Sequence, residues 1–496
     1  MSYISKDELQ KKACAVLENL DCENLKAKDR MQIPLQEMPS QDPMVRRHNM
    51  QEVAIGYTPE QAKVEAERCL QCKNAPCMKG CPVGINIPKF IKEIAEGNFQ
   101  QAVDTIKLAS LLPAVCGRVC PQEKQCQLYC TLGKALKDVD KSVSIGRLER
   151  FIADWEAENS GAVHIDIKPA TGKKVAVVGS GPAGITVAAD VRREGHEVTL
   201  FEAFHKPGGV LMYGIPEFRL PKDIVQREIT QLKDMGVKVE TNFVVGRTLT
   251  LPQLLEEEGF NVAFIGSGAG LPTFMNIEGE NLVGVFSANE YLTRSNLMRA
   301  FDRKNAATPI IQSNRIAILG GGNVAMDSAR TAVRLGAEEV HLIYRRSEAE
   351  MPARIEEVEH AKEEGVIFHL LENVKRIFGD EDDCVTGVEC LRYELGEPDD
   401  SGRRRPIAIE NSEFIIELDA VIVAIGNKSN PLIPQTTSGL EINKWGNIIV
   451  DSETAETSIK NVYAGGDIVL GAATVILAMG EGRKAAEAIN KRLTEL

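Results

Sequence analysis

Eight of the twelve cysteines lie between Cys69 and Cys130, arranged as Cys69-x2-Cys72-x4-Cys77-x3-Cys81-Pro82, then Cys116-x3-Cys120-Pro121 with Cys126-x3-Cys130 close behind. Thiolates spaced two to four residues apart converge on soft iron or zinc. A proline directly after the last cysteine is a feature of ferredoxin-type runs, in which that cysteine ligates the other cluster. The pattern reads as two 4Fe-4S clusters, with structural zinc and a disulfide framework as the alternatives.

Two glycine-rich turns carry a second chemistry. Lys174-Val175-Ala176-Val177-Val178 is predicted as a buried parallel strand, and Gly179-Ser180-Gly181-Pro182-Ala183-Gly184 turns from it into a helix over 185–193. Gly179 permits the tight turn, Gly181 lets a pyrophosphate approach the helix N-terminus, and Gly184 lets helix and strand pack closely. The next strand, His196 to Phe201, ends in Glu202, where a carboxylate accepts hydrogen bonds from an adenosine ribose. The second turn follows Arg315-Ile316-Ala317-Ile318-Leu319 and reads Gly320-Gly321-Gly322-Asn323-Val324-Ala325, with alanine in place of the third glycine. Its second strand, Glu339 to Ile343, runs into Tyr344-Arg345-Arg346 with no acid. An acid would repel a 2′-phosphate, whereas two guanidiniums can bind one bidentately, so Arg345 and Arg346 predict NADPH rather than NADH. Tyr344 serves either to stack on adenine or to pack.

These residues need elements to hold them. At 496 residues, with 43% apolar and 26% charged, the chain can bury substantial cores and divides into about three domains. Residues 1–169 read as helices interrupted by the cysteine loops, with Thr58 as an N-cap and Pro59 at N1 of one of them. Beyond the hydrophilic stretch around Glu158-Asn159-Ser160-Gly161, short β-branched strands alternate with helices, the signature of parallel α/β architecture. The strand-turn-helix unit occurs twice, a weak internal duplication. Gly396 to Gly402 reads as a surface loop between strands. The start lacks an apolar secretory core and no run of 18 apolar residues occurs, so the expected location is the cytoplasm. A formal charge of −13 argues against a general nucleic-acid or anionic-membrane surface and is compatible with a basic protein partner.

With these residues placed, the chain resembles the small (beta) subunit family of NADPH-dependent glutamate synthase over nearly its whole length. The motifs are the cysteine arrays, Cys116-Gly117-Arg118-Val119-Cys120-Pro121, the stretch Pro207-Gly208-Gly209-Val210-Leu211-Met212-Tyr213-Gly214-Ile215-Pro216, and the second turn with Arg345-Arg346. The large subunit of NADH-dependent ferredoxin:NADP oxidoreductase and the N-terminal half of dihydropyrimidine dehydrogenase are similar in the same motifs. The resemblance implies an α-helical domain with two 4Fe-4S clusters (1–169), an FAD domain in two parts (170–286 and 431–496) and an NADPH domain inserted between them (287–430).

It also implies the ligands. FAD would lie on the first turn, with Gly208 and Gly209 on the flavin side, Gly466-Asp467 at the polyol chain, and Ala473-Thr474-Val475 opening a final helix whose amides face the isoalloxazine. Read alone, Asp467 could instead cap a turn. Cys69, Cys72, Cys77 and Cys130 would hold one cluster. Cys81, Cys120 and Cys126 would hold the other together with Glu149, leaving Cys116 a buried free thiol. Chemistry alone balances Glu149 as a ligand against a solvated helix residue, because carboxylate is hard for iron–sulfur.

The implied activity is electron passage from NADPH through FAD and the clusters to a protein acceptor, with no catalytic side chain. That acceptor is a glutamate synthase large subunit or, as the alternative, the ferredoxin- and NAD-linked neighbours of a flavin-bifurcating complex. A non-enzymatic zinc scaffold for docking is the third reading. A disulfide reductase is excluded, because no cysteine falls between Cys130 and Cys384. Cys14, Cys22, Cys384 and Cys390 are expected to pack. The chain begins Met1-Ser2, without a nucleophilic cysteine, and lacks the length for a synthase barrel, so a partner must make glutamate.

Overall fold

A computed structural model describes residues 4–159, 166–399 and 402–495; Ser160 and Gly161 of the expected linker and Asp400 and Ser401 of the expected loop lie outside them. The first third is helical, from Lys6–Glu18 to Ile145–Asn159, with the cysteines on loops and short turns between helices. Thr58 caps Pro59–Glu67 through a capping box with Gln61, satisfying two N-terminal amides that would otherwise lack partners. The helices Pro113–Val119 and Ile145–Asn159 touch so closely that a Cβ on Gly117 would lie 2.5 Å from the Arg150 nitrogen. That contact brings Glu149 of the second helix beside the cysteines of the first.

Two parallel five-stranded sheets follow. The first has the order Val462–Ala464, Val262–Ile265, Lys174–Val178, Glu197–Phe201, Lys238–Glu240. The second has the order Val285–Ser287, Ala420–Val423, Arg315–Leu319, Glu339–Tyr344, Ile367–Leu370. Because Val462–Ala464 pairs with Val262–Ile265, the chain leaves the first sheet, builds the second and returns to complete the first. An antiparallel layer, in which Val385–Pro398 pairs with Glu372–Gly379, Arg404–Ala408 and Phe414–Glu417, flanks the second sheet.

The helical part does not keep its core to itself. Phe90, Ile94, Ile106 and Leu148 join Leu211, Met212, Ile476 and Met479 of the first α/β unit in one buried cluster, so the cysteine loops are seated on the neighbouring unit by apolar burial. The second sheet is tied in by charge instead. Arg219 reaches both oxygens of Asp327 at 2.8 and 2.7 Å and Glu357 at 3.1 Å. Arg46, from the helical part, meets Glu364 at 2.8 Å, and Glu364 also accepts from Arg330 and Arg334. All of these side chains are buried.

Candidate functional site

The thiols fall into two groups. Burial pushes the Cys77 thiol up to about 12, with Cys69, Cys130 and Cys72 adding to the rise; burial pushes Cys69 to about 11, opposed by the Gln71 amide and reinforced by Cys130 and Cys72. These four therefore share one neighbourhood, closed on one side by a 3.3 Å hydrogen bond between the Cys72 thiol and Thr131 Oγ1. In the second group, Cys126 is raised by burial, then by Cys81 and Glu149. Cys120 is raised first by its hydrogen bond with Cys116, then by burial and by Glu149 and Cys126. Cys77 also acts on Cys126, so the two groups adjoin.

Glu149 is 6% exposed, and burial alone pushes its carboxyl up to about 8. Its Oε1 has no hydrogen-bond partner among the described residues. A buried polar atom left without a partner costs stability unless something occupies it, and a buried carboxylate close enough to act on Cys81, Cys120 and Cys126 completes with them a donor set of four for an iron–sulfur cluster. Cys116 lies beside this group, hydrogen-bonded with Cys120 and also 3.6 Å from Met479 Sδ. No three His, Cys, Asp or Glu side chains among the described residues are arranged to hold a single metal ion.

The second thiol group abuts the final helix, Val475–Glu495. A Cβ on Gly480 would lie 3.1 Å from the Pro82 carbonyl oxygen, one residue past Cys81. Gln125, beside Cys126, donates to Thr474 Oγ1 at 3.4 Å. Thr474 and Val475 are the residues expected to open that helix toward a flavin.

At the first turn, a Cβ on Gly184 would collide with the Gly179 carbonyl oxygen, which explains the glycine. Nothing lies within 4 Å of a Cβ built on Gly181, while one on Gly209 would be 2.8 Å from the Gly181 Cα. The turn and the Gly208-Gly209 segment thus touch at backbone distance around an open spot at the N-cap of Pro182–Arg193, a cradle that suits a pyrophosphate. Glu202 accepts from the Ser180 amide at 3.1 Å and from its hydroxyl through one oxygen, and from the Phe204 amide at 2.8 Å through the other. Its remaining lone pairs can still take a ribose hydroxyl.

Asp467 is pushed up to about 6 by burial, against a hydrogen bond from the Ala473 amide. Tyr213, raised to about 12 by burial, feels Asp467 and Glu202 in turn. Gly466 backs onto Ala183, so that a Cβ on Gly466 would lie 3.0 Å from that of the alanine. The structure therefore gathers Gly181, Ala183, Glu202, Gly209 and Asp467 around one turn, together with Ser180 and Tyr213, which lie inside the quoted motifs but were given no role there. Lys222 was also unforeseen. It is buried, and its ammonium donates to the carbonyls of Leu211 at 2.9 Å, Leu220 at 3.1 Å and Ile215, which pins the stretch after Gly208-Gly209.

At the second turn, Gly320 has φ +142 and Gly322 caps Asn323–Leu335. Asn323 Oδ1 accepts from the Arg354 amide at 2.9 Å; Val324 is 40% exposed at the helix start, and Ala325 is fully buried beneath it. Tyr344 packs its ring against Gly321. The two arginines diverge. Arg345 is exposed, whereas Arg346 is buried, its Nε donating to the Arg404 carbonyl at 2.8 Å and its Nη2 to Asp399 at 2.7 Å.

Residues 173–483 match the pyridine nucleotide-disulphide oxidoreductase family, and residues 46–161 match domain II of dihydropyrimidine dehydrogenase, a 4Fe-4S cluster domain. The fold and site thus define a pyridine nucleotide oxidoreductase joined to an iron–sulfur domain. The glutamate synthase [NADPH] small chains of Azospirillum brasilense and Escherichia coli (strain K12) are 36% and 37% identical to it. They cover 92% and 90% of this chain, which covers 94% of each. The chain belongs to the glutamate synthase small-chain family. The beta subunit of the NADP(+)-dependent formate dehydrogenase of Moorella thermoacetica is 39% identical over 85% of the chain, which spans 60% of that longer protein. The fold alone is shared with FprA of Mycobacterium tuberculosis, at 18% identity and a TM-score of 0.55 over 65% of this chain and 85% of that one. Among the described residues no helix is long and apolar enough to cross a membrane.

Proposed function

We propose that this chain is an electron-input subunit that oxidises NADPH at the second dinucleotide turn and delivers reducing equivalents through FAD and two 4Fe-4S clusters to a protein partner. When bound, the flavin and clusters convert a two-electron donor into single-electron steps. The chain's own residues bind and space these groups. Cys69, Cys72, Cys77 and Cys130 hold the outer cluster; Cys81, Cys120, Cys126 and Glu149 hold the inner one. Gly181, Glu202, Gly209 and Asp467 hold the flavin. Gly320, Gly322 and Asn323 receive the nicotinamide dinucleotide, and residues 287–430 act as its inserted domain. The buried charges around Arg219 keep that domain facing the flavin.

The observation that carries this reading is the contact of the loops bearing the second thiol group with the final helix, Gln125 with Thr474 and Pro82 with Gly480, which supports an inner cluster held next to the flavin-side helix. A zinc scaffold has no use for that contact. The partner is the variable part. Relatives built on the same module are named as subunits of glutamate synthase and of formate dehydrogenase, and the small-chain match across both full lengths favours a glutamate synthase large subunit.

The test is anaerobic purification with iron, sulfide and flavin analysis, followed by NADPH oxidation with ferricyanide and then with a purified large subunit, glutamine and 2-oxoglutarate. About eight irons and one FAD per chain, with turnover dependent on the large subunit, is the expected result. Stoichiometric zinc without flavin would sink the reading, and robust ferricyanide turnover with no stimulation by the partner would remove the glutamate synthase assignment alone.

A further inference from the structure

The strand Glu339–Tyr344 ends where a Rossmann fold meets the adenosine ribose. Two guanidiniums are wanted there for a 2′-phosphate, yet Arg346 is 6% exposed and already spent on Asp399 and on the Arg404 carbonyl. The same contacts bring in a replacement. They dock the edge of the antiparallel layer, at Arg404, onto the strand terminus. The Arg404 side chain is 49% exposed. Its Nε donates to Glu350 Oε1 at 2.7 Å, while its two Nη groups have no partner among the described residues.

Glu350 in turn links Arg404 to the dinucleotide turn. Its carbonyl accepts from Tyr344 at 2.9 Å, and the Tyr344 ring packs on Gly321. Its other carboxylate oxygen takes the Ser347 hydroxyl. Both carboxylate oxygens are thereby engaged in orienting neighbours, so Arg404 is aimed rather than merely neutralised.

We propose that Arg404 and Arg345 form the 2′-phosphate clamp of the second dinucleotide site, Arg404 being a specificity-determining residue contributed by the antiparallel layer and Arg346 a positioning residue that docks it. The inference rests on the NADPH reading above. The experiment uses the holoenzyme with ferricyanide as acceptor, NADPH and NADH as donors, and adenosine 2′,5′-bisphosphate and AMP as competitive inhibitors. For Arg404→Gln, kcat/KM for NADPH should fall ~10- to 100-fold, chiefly through KM, as expected for losing one charged hydrogen-bonding group. NADH turnover should be unchanged, the bisphosphate should weaken by the same factor, AMP should not, and Arg404→Lys should recover part of the loss. Arg346→Gln should show the same selective loss. Equal losses for NADPH and NADH would reduce Arg404 to a structural role and overturn the proposal, as would an unchanged NADPH value. Wild-type enzyme with no preference for NADPH would overturn the NADPH reading itself, before any variant is made.

Discussion

Replacing Arg219 with alanine should weaken the seat of the second dinucleotide unit in a way that pH reveals. Arg219 and Asp327 are 8% and 3% exposed and paired through two hydrogen bonds. Even with this partner, burial holds Asp327 up at about 6. Removing one partner of a buried pair costs about 3–5 kcal/mol, mostly from the charge left behind. Asp327 has an escape, because it can take up a proton. The cost of that proton sets a ceiling, and from the ordinary carboxyl value of 3.8 it is about 4 kcal/mol at pH 7 but about 1.6 kcal/mol at pH 5. In the variant the folded state binds more protons than the unfolded one, so its stability falls as pH rises. The penalty of Arg219→Ala, read from denaturant unfolding of variant and wild type at both pH values, should therefore shrink by ~1–1.5 kcal/mol on going from pH 7 to pH 5, because wild-type Asp327, at about 6, itself takes up a proton over that range and offsets about half of the variant's gain. Stopped-flow reduction of the flavin by NADPH should slow, while reduction by dithionite, which needs no docked domain, should not. A penalty independent of pH, or NADPH reduction at the wild-type rate, would refute the idea that this pair seats the unit. Replacing both partners by leucine or methionine should recover part of the stability, since Asp327's charge is gone while Glu357, which Arg219 also meets, keeps Arg330 as its partner.

Three further outcomes follow from the geometry. Glu149→Ala should alter the electron paramagnetic resonance spectrum or the iron content of one cluster, whereas Cys116→Ser, which keeps a hydroxyl beside Cys120 in place of the thiol, should leave the iron content unchanged; the opposite pattern would reverse the ligand assignment. Gly184→Ala drives a methyl group into the Gly179 carbonyl, a backbone atom that cannot swing aside, so the protein should emerge with less than a tenth of its FAD by absorbance, roughly the effect of losing more than 1.4 kcal/mol of binding. Lys222→Met removes the three-carbonyl tie and should release flavin on gel filtration. Burial lowers that lysine to about 7, so the folded wild type binds fewer protons than the unfolded chain between about pH 7 and 10, and its stability should rise over that window by an increment absent from the variant.

What could be read from the sequence and what could not divides along chain separation. Each glycine turn, with its strand before and helix after, is a local object, and Gly179 to Gly184 or Gly320 to Ala325 announce themselves because the backbone constraint lies within six residues. The cysteine spacing announces soft-metal chemistry for the same reason, but it does not partition the thiols. That Cys130 belongs with Cys69 rather than with Cys126 came from family likeness, and its physical cause is the folding of loops about sixty residues apart onto a core shared with Leu211 and Met479. Gly117 illustrates the limit well. Inside Cys116-Gly117-Arg118-Val119-Cys120 it looks like part of a ligand motif, whereas its task is to let Arg150's backbone approach, which is how Glu149 comes to stand among the thiols. Longer separations were silent altogether. Nothing near Arg346 warns that Asp399 will claim it, and nothing near Arg46 names Glu364, 318 residues away. Charged side chains on either side of a domain seam have no periodicity and no composition signal; their pairing exists only once hydrophobic burial has brought the units together. For this chain the chemistry is thus local while its arrangement is not. The residues that decide which nucleotide enters, and how firmly its domain faces the flavin, are for that reason the ones to mutate first.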